Sequence, residues 1–339
     1  MLVNGAFLGQ RITGQQRYAQ ELTQRLLRLP GFELARPPAR VDQRSSLSWA
    51  WSQSLSLRAA VPRGRLLLTM TSRGPIWCSH QVLVVHDLFV LSHPEWFSPA
   101  YTRSHQPVLR AQLRSAAAFV AVSEPTRAEL SAIVGDKPIV VVPNGVTQAL
   151  QAEGPEPSGL GSTLRPRNFL LAVGSLDPRK NLDTLVEAYA ALPEDLRRAC
   201  PLVLAGGSSA SFARVGEQRV VGVERLGYVE DDALAWLYQN ARALVAPSLD
   251  EGFGLPVIEA AAAGTPVVLS DIPVFRWTYG DGGRYFDPRD VRALSALLRD
   301  VVEQEGPDAA HLLQKASDVR QRFDWDRSAS ILQEFLGAR

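Results

Sequence analysis

The chain has 339 residues, 46% of them apolar and 21% charged, which is too long for one ordinary core and too apolar for a disordered chain, so two domains of roughly 150 residues are expected. The net charge of +1 hides an asymmetry: residues 1–150 carry 16 Lys+Arg against 8 Asp+Glu, and the remainder carries 20 against 27, a first half of +8 and a second of −7. Cys78 and Cys200 lie far apart, outside any CxxC or Cys/His cluster, which argues against a disulfide framework or a zinc site and suits a reducing, cytoplasmic setting. Residues 1–8 carry no basic n-region leading into an apolar h-region, and no apolar run approaches the roughly 20 residues of a spanning helix. Neither secretion by that route nor integral membrane placement is expected, and no nucleic-acid partner.

In chain order, buried strands are predicted at 1–3, 65–69, 81–85, 119–122 and 139–142, with a helix over 15–29 following the first strand across the loop from Gly9 to Gly14. Ser123 reads as a helix N-cap and Asn144-Gly145 as a turn. Residues 151–167 (QAEGPEPSGLGSTLRPR) have linker chemistry. Beyond them, strands are predicted at 169–173, 202–205, 223–226, 243–246 and 266–269, alternating with helical stretches that start after Asn181 and Asp231. This alternation predicts α/β domains with parallel sheets: 1–155, 165–322, and a final helix at 323–339, opened by an Asp cap, which could pack back on the first domain.

The most informative segment is 243–271, ALVAPSLDEGFGLPVIEAAAAGTPVVLSD. A strand ends near Pro247, a loop Gly252-Phe253-Gly254 follows, and Pro256 stands where a helix would open. Backbone N–H groups and the helix N-terminus together make an anion site. Glu251 and Glu259 bracket this turn. Beside an anion, their carboxylates suit ligand hydroxyls as hydrogen-bond donors, although taken alone each is equally readable as a loop or helix-surface charge. A second site follows strand 169–173, in GSLDPRKN, where Arg179 and Lys180 occupy a βα loop at a strand's C-terminal end. Cations before a helix N-terminus are unfavourable without an anion, so the pair points to a diphosphate. His86 likewise ends the apolar strand 81–85.

Together these segments resemble glycosyltransferase family 4, the large retaining family of GT-B fold, in its bacterial mannosyltransferase-like branch. The likeness rests on GSLDPRKN, LAGG, LGYV, EGFGLPVIE as an E-x7-E signature, and AAGTPVV. In the first half it rests on VNGAFLGQRITGQQRYAQEL, VVHDLFVLSHPEWFSPAY, AVSEPTRAEL and VVPNGV, so that coverage is nearly end to end. The resemblance implies two Rossmann-like domains whose parallel sheets face a central cleft. It implies that Arg179 and Lys180 bind a donor diphosphate, that Glu251 contacts the transferred sugar, and that Glu259 holds the ribose. By the same resemblance Gly252, Phe253, Gly254 and Leu255 offer N–H groups to phosphate and sugar. Tyr228 and Val229 flank the base, His86 reaches the donor sugar, and Gly14 lies near the phosphates, although Thr13-Gly14 replaces the paired glycines of many relatives.

The implied reaction moves a hexose, mannose or a related deoxyhexose from a GDP-sugar, to a hydroxyl of a glycan or lipid-linked acceptor, with retention and without metal or other cofactor. Asp231-Asp232 reads as a helix cap rather than a metal-binding DxD. A GT-B epimerase or phosphorylase, or a non-catalytic sugar-nucleotide binder, remains an alternative. A nicotinamide-dependent dehydrogenase is not, because Gly5, Gly9 and Gly14 do not form G-x-G-x-x-G. The +8 half, with Trp49, Trp51, Leu55 and Leu57 among Arg44, Arg58, Arg63 and Arg65, suggests peripheral contact with an anionic membrane, the tryptophans otherwise being core residues.

Overall fold

A computed structural model describes residues 1–10, 12–38, 50–54, 65–71, 74–147, 164–207, 220–304 and 309–338. By contacts the chain divides into two compact units. One comprises Met1–Pro94, Pro99–Gly145 and Asp324–Arg339, the other Glu95–Ser98 and Val146–Phe323. The linker read from the sequence lies outside the described residues as far as residue 163.

In the first unit six strands form one sheet: β1 (Leu2–Asn4), β2 (Glu33–Ala35), β3 (Leu67–Thr69), β4 (Gln81–Val85), β5 (Ala118–Ala121) and β6 (Ile139–Val141). Their order is β2-β1-β3-β4-β5-β6, and every pairing is parallel. A parallel sheet is covered on both faces, so its central strands are continuous apolar runs, as in the fully buried QVLVV of β4. The helix Gly14–Leu26 buries Tyr18, Ala19, Leu22 and Leu26, the periodicity of one apolar face. Ser123 caps Glu124–Val134 as expected, its hydroxyl accepting from the Thr126 N–H at 3.2 Å.

The helix Trp325–Gly337 belongs to this unit. Asp324 caps it, accepting from the Arg327 N–H at 2.8 Å, and the Ser328 hydroxyl donates to the Pro143 carbonyl at 2.8 Å. Gly145, read above as a turn glycine, is needed for space: a Cβ there would stand 2.6 Å from Cγ of Trp325. Trp51 packs beside Leu2, Leu67 and Cys78, and Arg65 pairs with Glu33 at 3.0 Å. Arg44, Trp49, Leu55, Leu57, Arg58 and Arg63 lie outside the described residues.

The second unit holds β7 (Leu170–Val173), β8 (Leu202–Ala205), β9 (Val223–Gly227), β10 (Ala243–Ala246), β11 (Val267–Ser270) and β12 (Arg284–Phe286). Their order is β12-β11-β10-β7-β8-β9, again all parallel. From β7 the chain runs one way to β9, then returns beside β7 as β10 and runs the other way. The β7/β10 border is therefore the topological switch point, where loops diverge and leave a crevice at the strands' C-terminal ends. Under the sheet, Leu182, Leu185, Val186 and Tyr189 of helix Leu182–Ala190 pack with Leu294 and Leu298 of helix Val291–Glu303.

The predicted strands lie within two residues of the observed ones at either end. The sequence reading missed β2 and β12, which are three-residue edge strands of mixed polarity and so carry little apolar signal.

At the ends of β7 and β8 the backbones nearly touch. Gly206 has φ 147°, and a Cβ built on it would lie 1.7 Å from the Gly174 carbonyl oxygen. Gly206→Ala is expected to destabilise the protein by roughly 2–4 kcal/mol, since neither backbone can yield cheaply. Urea unfolding monitored by circular dichroism measures it, and a change within about 0.5 kcal/mol would contradict the close approach.

Candidate active site

Two loops meet at the switch point. The first leaves β7 through Gly174-Ser175-Leu176-Asp177 into a single 3-10 turn, Pro178–Lys180. The second leaves β10 and reaches helix Leu255–Ala262 through Ser248, Glu251 and Gly254. They are tied by the Leu249 N–H donating to the Arg179 carbonyl at 2.8 Å. Asn181 ties them again. Its side-chain amide donates to the carbonyls of Pro247 at 3.0 Å and Pro288 at 2.7 Å, and its oxygen accepts from the Thr184 hydroxyl. Asn181 does stand before its helix, but in a left-handed conformation (φ 54°) and with no capping hydrogen bond from its side chain. The oxygen that a cap would use accepts from the Thr184 hydroxyl instead, while the amide NH2 makes the long-range bridge. Likewise Asp231 stands inside the first turn of helix Asp231–Asn240, with Glu230 at the cap position.

At the centre is a buried ion cluster. Glu251, 7% exposed, accepts from Arg179 Nη1 at 2.6 Å through Oε2, from Lys180 Nζ at 2.5 Å through Oε1, and from the Ser248 hydroxyl at 2.9 Å. Burial by itself would raise the Glu251 pKa. Arg179 and Lys180, with hydrogen bonds from Lys180 and Ser248, outweigh it and hold the carboxyl down at about 2. Asp177 is fully buried beside them: its Oδ2 accepts from the Ser175 hydroxyl at 2.5 Å and lies 3.6 Å from Arg179 Nη2, and its Oδ1 has no hydrogen-bond partner.

A concavity opens here, lined by residues that include Lys180, Pro247, Ser248, Glu251, Gly254 and Pro256. The helix begins on its wall. Gly254 holds φ 88°, and a Cβ there would come within 2.9 Å of the Phe275 ring, so glycine is required twice over. Phe253 turns its ring into the core, edge-on to Phe323 at 5.4 Å and Trp277 at 6.0 Å, so it has only backbone to offer a ligand. Gly252 is buried beside it.

Of the remaining predicted residues, Glu259, Tyr228 and Val229 lie in the second unit and Gly14 and His86 in the first. Glu259, 7% exposed, accepts from the hydroxyl of the fully buried Tyr238 at 2.8 Å rather than joining the Arg179 and Lys180 cluster. Tyr228 is 47% exposed just after β9, with half-buried Val229 next to it. In the first unit, Gly14 opens the helix Gly14–Leu26, and His86 follows β4. His86 Nε2 lies 2.9 Å from the Met70 carbonyl and the ring stands edge-on to Tyr18 at 5.0 Å. A carbonyl only accepts, so Nε2 carries the proton and Nδ1 is the acceptor nitrogen. Burial holds the His86 pKa down at about 4, against the raising effect of that hydrogen bond. Among the described residues, no group of three or more His, Cys, Asp or Glu is placed to hold a metal.

Sequence reasoning missed Ser248, Tyr238, Asp177 and the bridging role of Asn181. Ser248 stands three residues before Glu251 and could have been suspected; the Tyr238–Glu259 contact joins two helices 21 residues apart and leaves no local pattern.

The two parallel six-stranded sheets and their helices define an α/β fold of GT-B type. Residues 163–319 match the family described as Glycosyl transferases group 1, and residues 77–149 match Glycosyltransferase Family 4. The chain is 30% identical to the O-antigen chain mannosyltransferase B of Escherichia coli over 72% of this chain and 67% of that one. It is 27% identical to the O-antigen chain mannosyltransferase RfbU of Salmonella typhimurium over 85% and 78% of the two chains. Sucrose-phosphate synthase from Thermosynechococcus elongatus superposes with a TM-score of 0.69 at 20% identity, covering 100% of this chain and 99% of that one. The chain belongs to glycosyltransferase family 4.

Two titrations follow. His86 should stay neutral until the pH falls toward about 4, and the unfolded-state imidazole, near 6.5, takes its proton first; stability is therefore lost on this account as pH drops from about 6.5. An NMR titration of the His86 ring giving a midpoint above about 6 would contradict its burial. For Glu251 the folded pKa is depressed, so its contribution is complete above about 4.5 and lost as pH falls toward about 2. Urea midpoints compared across that window should fall less steeply for Glu251→Gln than for the parent chain.

Proposed function

We propose that the protein transfers a hexose, mannose or a related deoxyhexose, from a GDP-sugar to a hydroxyl of a glycan or lipid-linked acceptor in surface polysaccharide synthesis, with retention and without a metal. The observation that carries the reading is the convergence of Lys180, of Glu251 with its second cation Arg179, and of the helix opened by Gly254 at the switch point, Lys180, Glu251 and Gly254 lining one concavity. Breaking the anomeric C–O bond builds negative charge on the departing diphosphate. Two cations and the Gly252–Leu255 backbone are suited to receive it, the electrostatic contribution that usually dominates such catalysis. Glu251 serves the transferred sugar, Glu259 the ribose, and Tyr228 with Val229 the base. The neutral His86 offers Nδ1 to a sugar hydroxyl, and Gly14 lies in the phosphate loop of the first unit. The leaving phosphate itself takes the acceptor's proton in a same-face attack. The mannose preference is supported by the relatives named as O-antigen mannosyltransferases.

The nucleotide is tested by thermal shift with GDP, UDP, dTDP and ADP, because a ligand bound only by the native state raises its apparent stability. GDP should give the largest shift. Arg179→Ala and Lys180→Ala should each lower turnover by roughly 10²-fold when assayed well below the unfolding midpoint of the variant, where the chain is folded. Near-parental activity of either variant at saturating donor would refute the diphosphate assignment. Proton NMR of the first-formed anomer reports retention, and undiminished turnover in EDTA reports metal independence.

A lipid-linked acceptor would bring the enzyme to the cytoplasmic face of a membrane, and the +8 first half is suited to anionic headgroups. Among the described residues no helix is long and apolar enough to span a bilayer. Co-sedimentation with anionic but not neutral vesicles at low salt is the expected result, and recovery in the supernatant with both would refute it.

A further inference from the structure

We infer that Tyr238 is a positioning residue for the donor nucleotide, its phenol setting the Glu259 carboxylate so that it can receive the two hydroxyls of a ribose. The inference rests on the reading that places Glu259 at the ribose. Glu259 lies on the helix Leu255–Ala262 in an otherwise apolar stretch, VIEAAA, and is 7% exposed. A carboxylate so enclosed needs donors, and a flexible three-torsion side chain needs something to fix its rotamer.

Tyr238 supplies both. It is fully buried on the apolar face of helix Asp231–Asn240, within Ala235-Trp236-Leu237-Tyr238, and its hydroxyl donates to Glu259 Oε2 at 2.8 Å. The phenol is itself anchored. The Tyr238 carbonyl accepts from the Thr265 hydroxyl, and the Thr265 N–H donates to the Ala260 carbonyl at 2.9 Å, one residue beyond Glu259. A closed circuit thus runs from the tyrosine backbone through Thr265 to the glutamate helix and back through the carboxylate. The hydrogen bond from the phenol to one carboxylate oxygen holds the carboxylate plane in place before the nucleotide arrives. A phenylalanine would fill the same core volume; the hydroxyl is what packing alone does not explain.

The test separates positioning from packing by reading selectivity for the diol. Calorimetric affinities are measured for GDP and 2′,3′-dideoxy-GDP, or the matching pair for whichever diphosphate the thermal-shift screen selects, on the full chain. The parent protein should favour the ribonucleotide by roughly tenfold or more. Glu259→Ala should bring that ratio to about one, and Tyr238→Phe should cut it by roughly threefold or more while the dideoxy affinity, measured well below the unfolding midpoint of the variant, changes little. In the Glu259→Ala background, Tyr238→Phe should have no further effect on the ratio, a double-mutant cycle that reads the pair itself. If Glu259→Ala collapses the ratio and Tyr238→Phe leaves it at the parental value, Tyr238 only packs and the inference is overturned. If Glu259→Ala leaves the ratio intact, the ribose assignment fails and takes the inference with it.

Discussion

Arg179, Lys180 and the carboxylates of Glu251 and Asp177 share one small buried volume at the border of β7 and β10, and the two loops that meet there hold them in place. Glu251 is enclosed and ionised because Arg179, Lys180 and Ser248 all reach it. Such a cluster is costly to desolvate, and removing one member leaves an uncompensated charge. It contributes less to raw stability than to fixing where the two loops lie. Each loop is held by backbone and amide bonds to the other, through Leu249, Arg179 and Asn181, so the ion pairs are set on a frame rather than left to hold it alone.

The same arrangement gathers both cations on a single carboxylate at the wall of the concavity. The helix that starts at Gly254 adds N–H groups to the same wall, and its glycine is dictated by both backbone conformation and the nearby Phe275 ring. The neutral tautomer of His86 in the first unit follows from the same kind of constraint, a carbonyl that can only accept.

Residue patterning along the chain determined a good deal. Parallel strands buried on both faces must be apolar throughout, so ten of the twelve could be read from short runs bounded by turn residues, and their C-terminal ends marked where ligand loops would emerge. Arg179 and Lys180 could be singled out because cations ahead of a helix conflict with local preference, and Glu251 because it stands beside a glycine turn that opens a helix. The caps at Ser123 and Asp324 were equally local matters.

What only the tertiary structure decided is everything that depends on partners distant in sequence. The strand order that makes β7 and β10 neighbours, and so brings Arg179 within 2.6 Å of a glutamate 72 residues later, is not written in any one segment. Asn181 bridges Pro247 and Pro288 through its side-chain NH2, Gly145 is glycine because Trp325 lies over it, and Glu259 found Tyr238. The edge strands β2 and β12 formed because a neighbour offered unpaired backbone, not because their side chains asked for it. Local patterning is legible because it follows the helix and strand periods, whereas side-chain partnership follows from chain crossings that no short stretch of sequence encodes.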